Sequence, residues 1–160
     1  MKQFDLLISE LSSESGLAME IDDKDSCSLV TDGLYLTVQC VAASEEIVLF
    51  APVDDPDSFF ELSPAVMKKA LSLSFMGDGT DRCFLGVRDD VLVLSKFLPL
   101  QNITAHDLGV QIQRFADLAI SIKGQLAVVQ VQSELSADED FPDETEDENF
   151  KNQVNGIFFV

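Results

Sequence analysis

The sequence predicts an α+β fold, in the order α-β-β-β-α-β-β-α, with helices packed on a twisted antiparallel sheet. Three observations predict it. Apolar residues recur every three or four positions near the start, in the middle and over a long stretch after residue 104, but every second position in between. The period-two stretches are joined by short turns, as in a meander. The 160 residues, 46% of them apolar and 24% charged, supply enough material for one domain with a substantial core.

The elements follow in order. Over residues 3–14, Phe4, Leu7, Ile8 and Leu11 keep to one face of a helix, and Ser15-Gly16 stops it. Ser26–Thr31 is a short strand, Asp32-Gly33 a hairpin dipeptide, and Leu34–Val41 a strand with Leu34, Leu36, Val38 and Cys40 on one face. A third strand, 46–51, carries Ile47, Val48, Leu49 and Phe50 before Pro52 ends it. A loop at 53–57 leads to a second helix, with Ser63 as N-cap, Pro64 in the first position and an end at Met76 before Gly77. Strands at 83–87 and 91–97 form a second hairpin around Arg88-Asp89-Asp90, closed by Pro99. Thr104 with Asp107 reads as a capping box for the last helix. In that helix Leu108, Ile112, Phe115, Ala119, Ile122, Leu126 and Val129 make one stripe, the mark of a core face laid across the sheet.

The character changes after Gln132. Residues 138–148 hold eight acids, no base and one proline, a composition that cannot bury enough to offset chain entropy. The chain therefore divides into a folded domain, 1–132, and an acidic tail, 133–160, expected to be disordered. The tail ends on an apolar tip, Ile157-Phe158-Phe159-Val160.

Charge and composition exclude several functions. Against 29 acids stand 10 bases, a net charge of −19, which opposes nucleic-acid binding and docking on anionic membranes. No apolar run approaches the ~18 residues of a membrane span, and Asp5 stands where a signal peptide would be building its apolar centre. The expected location is the cytoplasm. Cys27, Cys40 and Cys83 are far apart and lack metal or redox spacing, so they read as reduced core residues. His106 is the sole histidine. Asp54-Asp55-Pro56-Asp57 and Asp78-Gly79-Thr80-Asp81 do not fit a calcium loop and read as acidic turns. No metal or cofactor is expected, and no nucleophile–base arrangement or phosphate loop marks an enzyme.

The order of elements, the acidity and particular stretches together resemble the class I type III secretion chaperones, the CesT/Tir-chaperone family of Gram-negative bacteria. The stretches are the amphipathic start at 4–11, the hairpin at 27–41, the helix at 62–76, and above all Val91-Leu92-Val93-Leu94-Ser95-Lys96-Phe97-Leu98-Pro99-Leu100 running into the final helix. The likeness covers residues 2–132; the long acidic tail departs from it. The resemblance implies a cytosolic homodimer without cofactor that holds the N-terminal segment of a type III effector in extended form, with the secretion ATPase as a further partner. It places client contacts around Phe4, Ile8, Leu11, Val30, Leu34, Leu36, Leu49 and Phe50, and the dimer interface around Met67, Ala70, Leu71, Phe75, Phe84 and Leu85. The sheet chemistry agrees: Val91 and Val93 oppose Leu92 and Leu94, so both faces need covering, and helices cover only one. A client adding to a strand edge can cover what remains.

A rival reading is an acidic regulator that occupies a basic surface of a transcription factor or polymerase subunit. Removing residues 134–160, which hold nine acids and one base, still leaves 20 acids against 9 bases, or −11. A complex driven by apolar burial survives salt, whereas a charge-driven one weakens steeply. The apolar tip leaves two readings, a frayed terminus without a role and, more sharply, a segment that folds back as a weak internal competitor for the client site.

Overall fold

The computed structural model describes residues 2–54 and 63–138. It contains helix α1 (Gln3–Ser15), strands β1 (Ser26–Thr31), β2 (Leu34–Val41) and β3 (Glu46–Pro52), helix α2 (Pro64–Ser74), strands β4 (Phe84–Arg88) and β5 (Val91–Pro99), and helix α3 (Ala105–Asp138). The expected order of elements stands. The disorder expected of residues 139–160 and most of the loop at 53–57 lie outside the described residues.

The five strands form one antiparallel sheet in the order β1-β2-β3-β5-β4. Hairpin turns set the register of its two ends. Asp32 and Gly33 both take positive φ, 47° and 77°, as a two-residue turn requires, and Thr31 pairs with Leu34. Asp89 and Asp90 do the same at 51° and 63°, pairing Arg88 with Val91, although neither is glycine. Strand β5 then lies against β3, from Glu46 opposite Pro99 to Pro52 opposite Val93, which leaves β1 and β4 as the edges.

One face of the sheet is covered. Leu34, Leu36 and Val38 of β2, Ile47, Leu49 and Ala51 of β3, and Leu92 and Leu94 of β5 are buried in a core shared with α1 and α3. From α1 come Phe4, Leu7, Ile8 and Leu11; from α3 come Leu108, Phe115, Ala119, Ile122 and Leu126. Each of the Val, Leu, Ile and Phe side chains contributes roughly 1.5–3 kcal/mol by leaving water, the alanines less. Gly109 lets α1 approach α3 closely, since a Cβ there would sit 3.1 Å from Cδ1 of Leu11.

Two boundaries differ from expectation. Helix α2 ends at Ser74, not Met76, because Met76 takes φ 58° inside a single 3₁₀ turn, Phe75–Gly77. Helix α3 runs past residue 132 to Asp138, a length of about 51 Å at 1.5 Å per residue. Its start is capped as expected: Thr104 Oγ1 accepts the Asp107 N–H at 3.1 Å and donates to the Asp107 carboxylate at 2.7 Å. These bonds hold the Asp107 carboxyl below its ordinary pKa.

Candidate functional site

Helices cover one side of the sheet; no described helix covers the other. Register places Val30 beside Tyr35, Thr37 beside Phe50, Val48 beside Phe97, and Pro52 beside Val93 on this open face. Tyr35 and Val30 are 68% and 64% exposed, and Phe97 and Phe84 are also exposed. The last two meet edge to face, ring centroids 5.8 Å apart, as aromatic quadrupoles prefer. A shallow hollow of about 340 Å³ between Val48, Phe50, Pro52, Val93 and Arg88 marks the middle of the face. Contiguous apolar surface of this kind marks a place where something binds.

A groove of about 320 Å³ borders the β1 edge. Leu11 of α1, Leu17 and Met19 of the following segment, Leu29 and Val30 of β1, Leu36 of β2 and Ile112 of α3 line it. It adjoins a more polar hollow that carries Glu20 and Asp22. Asp22 is locked in place: its carboxylate accepts from the Ser26 N–H at 2.9 Å, the Ser26 hydroxyl at 2.7 Å and the Lys24 N–H at 2.9 Å. The Ser26 bonds, side chain first, hold its pKa below the ordinary value, so the hollow beside the groove carries a negative charge at neutral pH. An apolar groove along an edge strand, closed by a carboxylate, can take an extended peptide with alternate apolar side chains and a basic residue.

Of the residues expected to meet a client, the structure brings Leu11, Val30 and Leu36 together around this groove. Val30 and Phe50 lie on the open face. Phe4, Ile8, Leu34 and Leu49 are buried under the helices, as are most of the atoms of Leu11 and Leu36, and serve the core. Tyr35, Phe97, Met19 and Ile112 were not among the expected residues. Tyr35 and Phe97 could have been found by following the other face of each strand, since every second residue must point away from the core.

The expected interface residues divide similarly. Leu71, Phe75 and Phe84 are exposed, the first two at 70% and 73%, whereas Ala70 is buried and Met67 and Leu85 are half-buried. Met76, 79% exposed, joins them because its positive φ turns it out of the helix. Leu71 sits on α2, Phe75 and Met76 in the 3₁₀ turn that follows it, and Phe84 on the edge strand β4, where its ring meets that of Phe97.

Burial raises the thiol pKa of Cys27, Cys40 and Cys83, so all three stay protonated at neutral pH. Among the described residues no group of three His, Cys, Asp or Glu side chains is placed to hold a metal, and no helix is long and apolar enough to cross a membrane. Asp54 acts within the fold, accepting the Leu92 N–H at 2.9 Å.

A family model described as the Tir chaperone protein (CesT) family matches residues 6–123. Among solved structures, the chain is similar to a chain of the HopA1-SchA chaperone-effector complex, with 13% identity, a TM-score of 0.63, and coverage of 76% of this chain and 94% of that one. A chain of the ExsC-ExsE complex is similar at 19% identity and a TM-score of 0.65, covering 76% and 92%. So is YbjN, a candidate transcription regulator from E. coli, at 17% identity and 0.55, covering 77% and 90%. At these identities the likeness is one of fold. No curated protein matches the sequence.

Proposed function

The chain belongs to the Tir chaperone protein (CesT) family, and on that footing we propose that it is a cytosolic type III secretion chaperone that works as a homodimer. Its client is the N-terminal segment of an effector, held extended along the β1 edge and the open sheet face. The observation that carries this reading is the arrangement of apolar surface. One face of the sheet and a groove beside an edge strand are apolar and uncovered, while the core beneath is complete. An extended client satisfies both needs at once, giving main-chain hydrogen bonds to β1 and side chains to the groove. The Asp22 end favours a client with Lys or Arg next to its apolar residues.

The exposed Leu71, Phe75 and Met76, together with the exposed Phe84 on edge strand β4, support a dimer through α2 and β4, at the end of the sheet away from β1. A dimer through that edge leaves β1, at the other end of the sheet, to the client. The rival regulator reading needs an acidic face as its contact surface, whereas no acidic side chain lines the hollow on the open face or the groove beside β1. The YbjN likeness shares the fold without deciding between the two.

The test is recovery of the protein with its partner from the native host, at low and at high salt. A secreted effector retained at high salt supports the proposal. A basic DNA-binding partner that leaves with salt contradicts it.

A further inference from the structure

The outer edge of β1 is open over only part of its length, and one side chain closes the rest. In an antiparallel pair, successive residues turn their N–H and C=O alternately toward the partner strand and away from it. Asp25 turns toward β2, since its C=O accepts the Cys40 N–H at 2.9 Å. The next residue, Ser26, therefore points its N–H and C=O outward, and along the same strand Ser28 and Val30 do so too.

Asp22 occupies both outward groups of Ser26. Its carboxylate accepts the Ser26 N–H at 2.9 Å, and its own N–H donates to the Ser26 C=O at 2.8 Å. Those are the two bonds that a residue of a neighbouring strand would make there. The Ser26 hydroxyl and the Lys24 N–H fix the same carboxylate from two further directions, at 2.7 and 2.9 Å. Asp22 thus stands in for a single rung of an added strand. Among the described residues, no hydrogen bond reaches the outward groups of Ser28 and Val30, and both residues are exposed. Side chains alternate in step with this pattern. Leu29, paired with buried Leu36, lies on the helix-covered side and lines the groove with Leu11, Met19 and Ile112. A residue added opposite Leu29 therefore points into the groove, and its two neighbours point to the open face on which Tyr35 lies.

We infer that Asp22 is a stop that sets the register of the client strand on β1. The client pairs with Ser28 and Val30, ends where Asp22 begins, and sends one apolar side chain, the one opposite Leu29, into the groove. The edge takes a stretch of about five residues, or about 17 Å at 3.4 Å per residue. Within that stretch the main chain can bond to the two N–H and two C=O groups of Ser28 and Val30. This inference rests on the β1 site proposed above and adds its register, its length and the residue that sets both. Removing the Asp22 carboxylate releases the Ser26 N–H and lets the client advance by one rung.

The test is amide exchange, read residue by residue, in the full chain, in Asp22→Ala and in Asp22→Asn. Each is measured free and with the N-terminal segment of the effector that stays bound at high salt. In the unaltered chain the segment is expected to slow the Ser28 and Val30 amides roughly tenfold or more. The Lys24 amide, held by Asp22, should exchange as in the free chain. In Asp22→Ala the Ser26 amide is expected to exchange fast when free and to slow again in the complex, because the client now reaches it. Asp22→Asn keeps an oxygen for the Ser26 N–H and is expected to behave as the unaltered chain does. A Lys24 amide that speeds up when the segment binds means that the client displaces Asp22, which overturns the inference; this arm decides alone if Asp22→Ala does not fold. A Ser26 amide that stays fast in the Asp22→Ala complex overturns it too, since something else then ends the strand. So does an Asn variant that follows Ala, which would make charge and not hydrogen bonding the stop. In these three cases protection at Ser28 and Val30 leaves the β1 site standing. If neither amide slows, the β1 site fails and the stop falls with it.

Discussion

Leu71 and Leu36 are both apolar residues in regular elements, yet they carry opposite expectations. Leu71 is 70% exposed on α2, so Leu71→Asp leaves the monomer folded and is expected to abolish the dimer, read as a light-scattering mass near 17.6 kDa with an unchanged circular dichroism spectrum. Leu36 lies in the core, and Leu36→Asp buries a charge without a partner, removing several of the roughly 5–15 kcal/mol that hold a domain together. Loss of the folded signal is expected there. At the Asp89-Asp90 turn both residues sit in the left-handed region, where glycine carries no Cβ penalty. Asp90→Gly is expected to raise stability by about 0.5 kcal/mol, seen as a higher thermal midpoint. Thr104→Ala, which removes the cap of α3, is expected to cost about 1 kcal/mol. The Asp107 carboxyl has a depressed pKa in the fold, so its contribution is present above the ordinary 3.8 and lost as pH falls through the lower folded value. Fraying of the first turn of α3, followed by amide exchange, is expected only under that acid condition.

At the scale of elements, the strands were the most legible part of the sequence. The bounds of β1 and β2 follow from period two and from Asp32-Gly33, because local turn chemistry and pleat decide them without help from the rest of the chain. The end of α2 was not legible: Met76 takes a positive φ that its side chain does not announce, and glycine one residue later looked like the natural stop. Which apolar residues bind and which pack was only half legible. Alternation in a strand marks the core side, so Leu34 and Leu49 stand out in the sequence precisely because they are buried, while Tyr35 and Phe97 fall on the side that looks polar by comparison. The signal that did survive was β5, apolar on both faces, and the structure leaves one of those faces open. The element to test is therefore β1 with its groove. Val30→Asp and Tyr35→Asp are expected to weaken client binding at least tenfold while the thermal midpoint moves little, since both side chains already face water. Equal binding by both variants would place the client elsewhere.

For the whole molecule, the proposed function gives the two sheet edges different roles around one buried core: α2 with β4 for a second copy, β1 with its groove for a client. Family membership fixes the class of function; the assignment of the two surfaces is the proposal to be tested. Cys27, Cys40 and Cys83, with thiols raised by burial, have no part in it, and their joint replacement by Ala is expected to lower stability without releasing the client. The central claim is that the client lies extended along β1 and the open face. Hydrogen exchange on the complex purified at high salt tests it most directly. The account expects new protection in β1 and β2, together with a client segment that is protected only when bound. Protection confined to residues 139–160, with β1 and β2 exchanging as in the free protein, would contradict it.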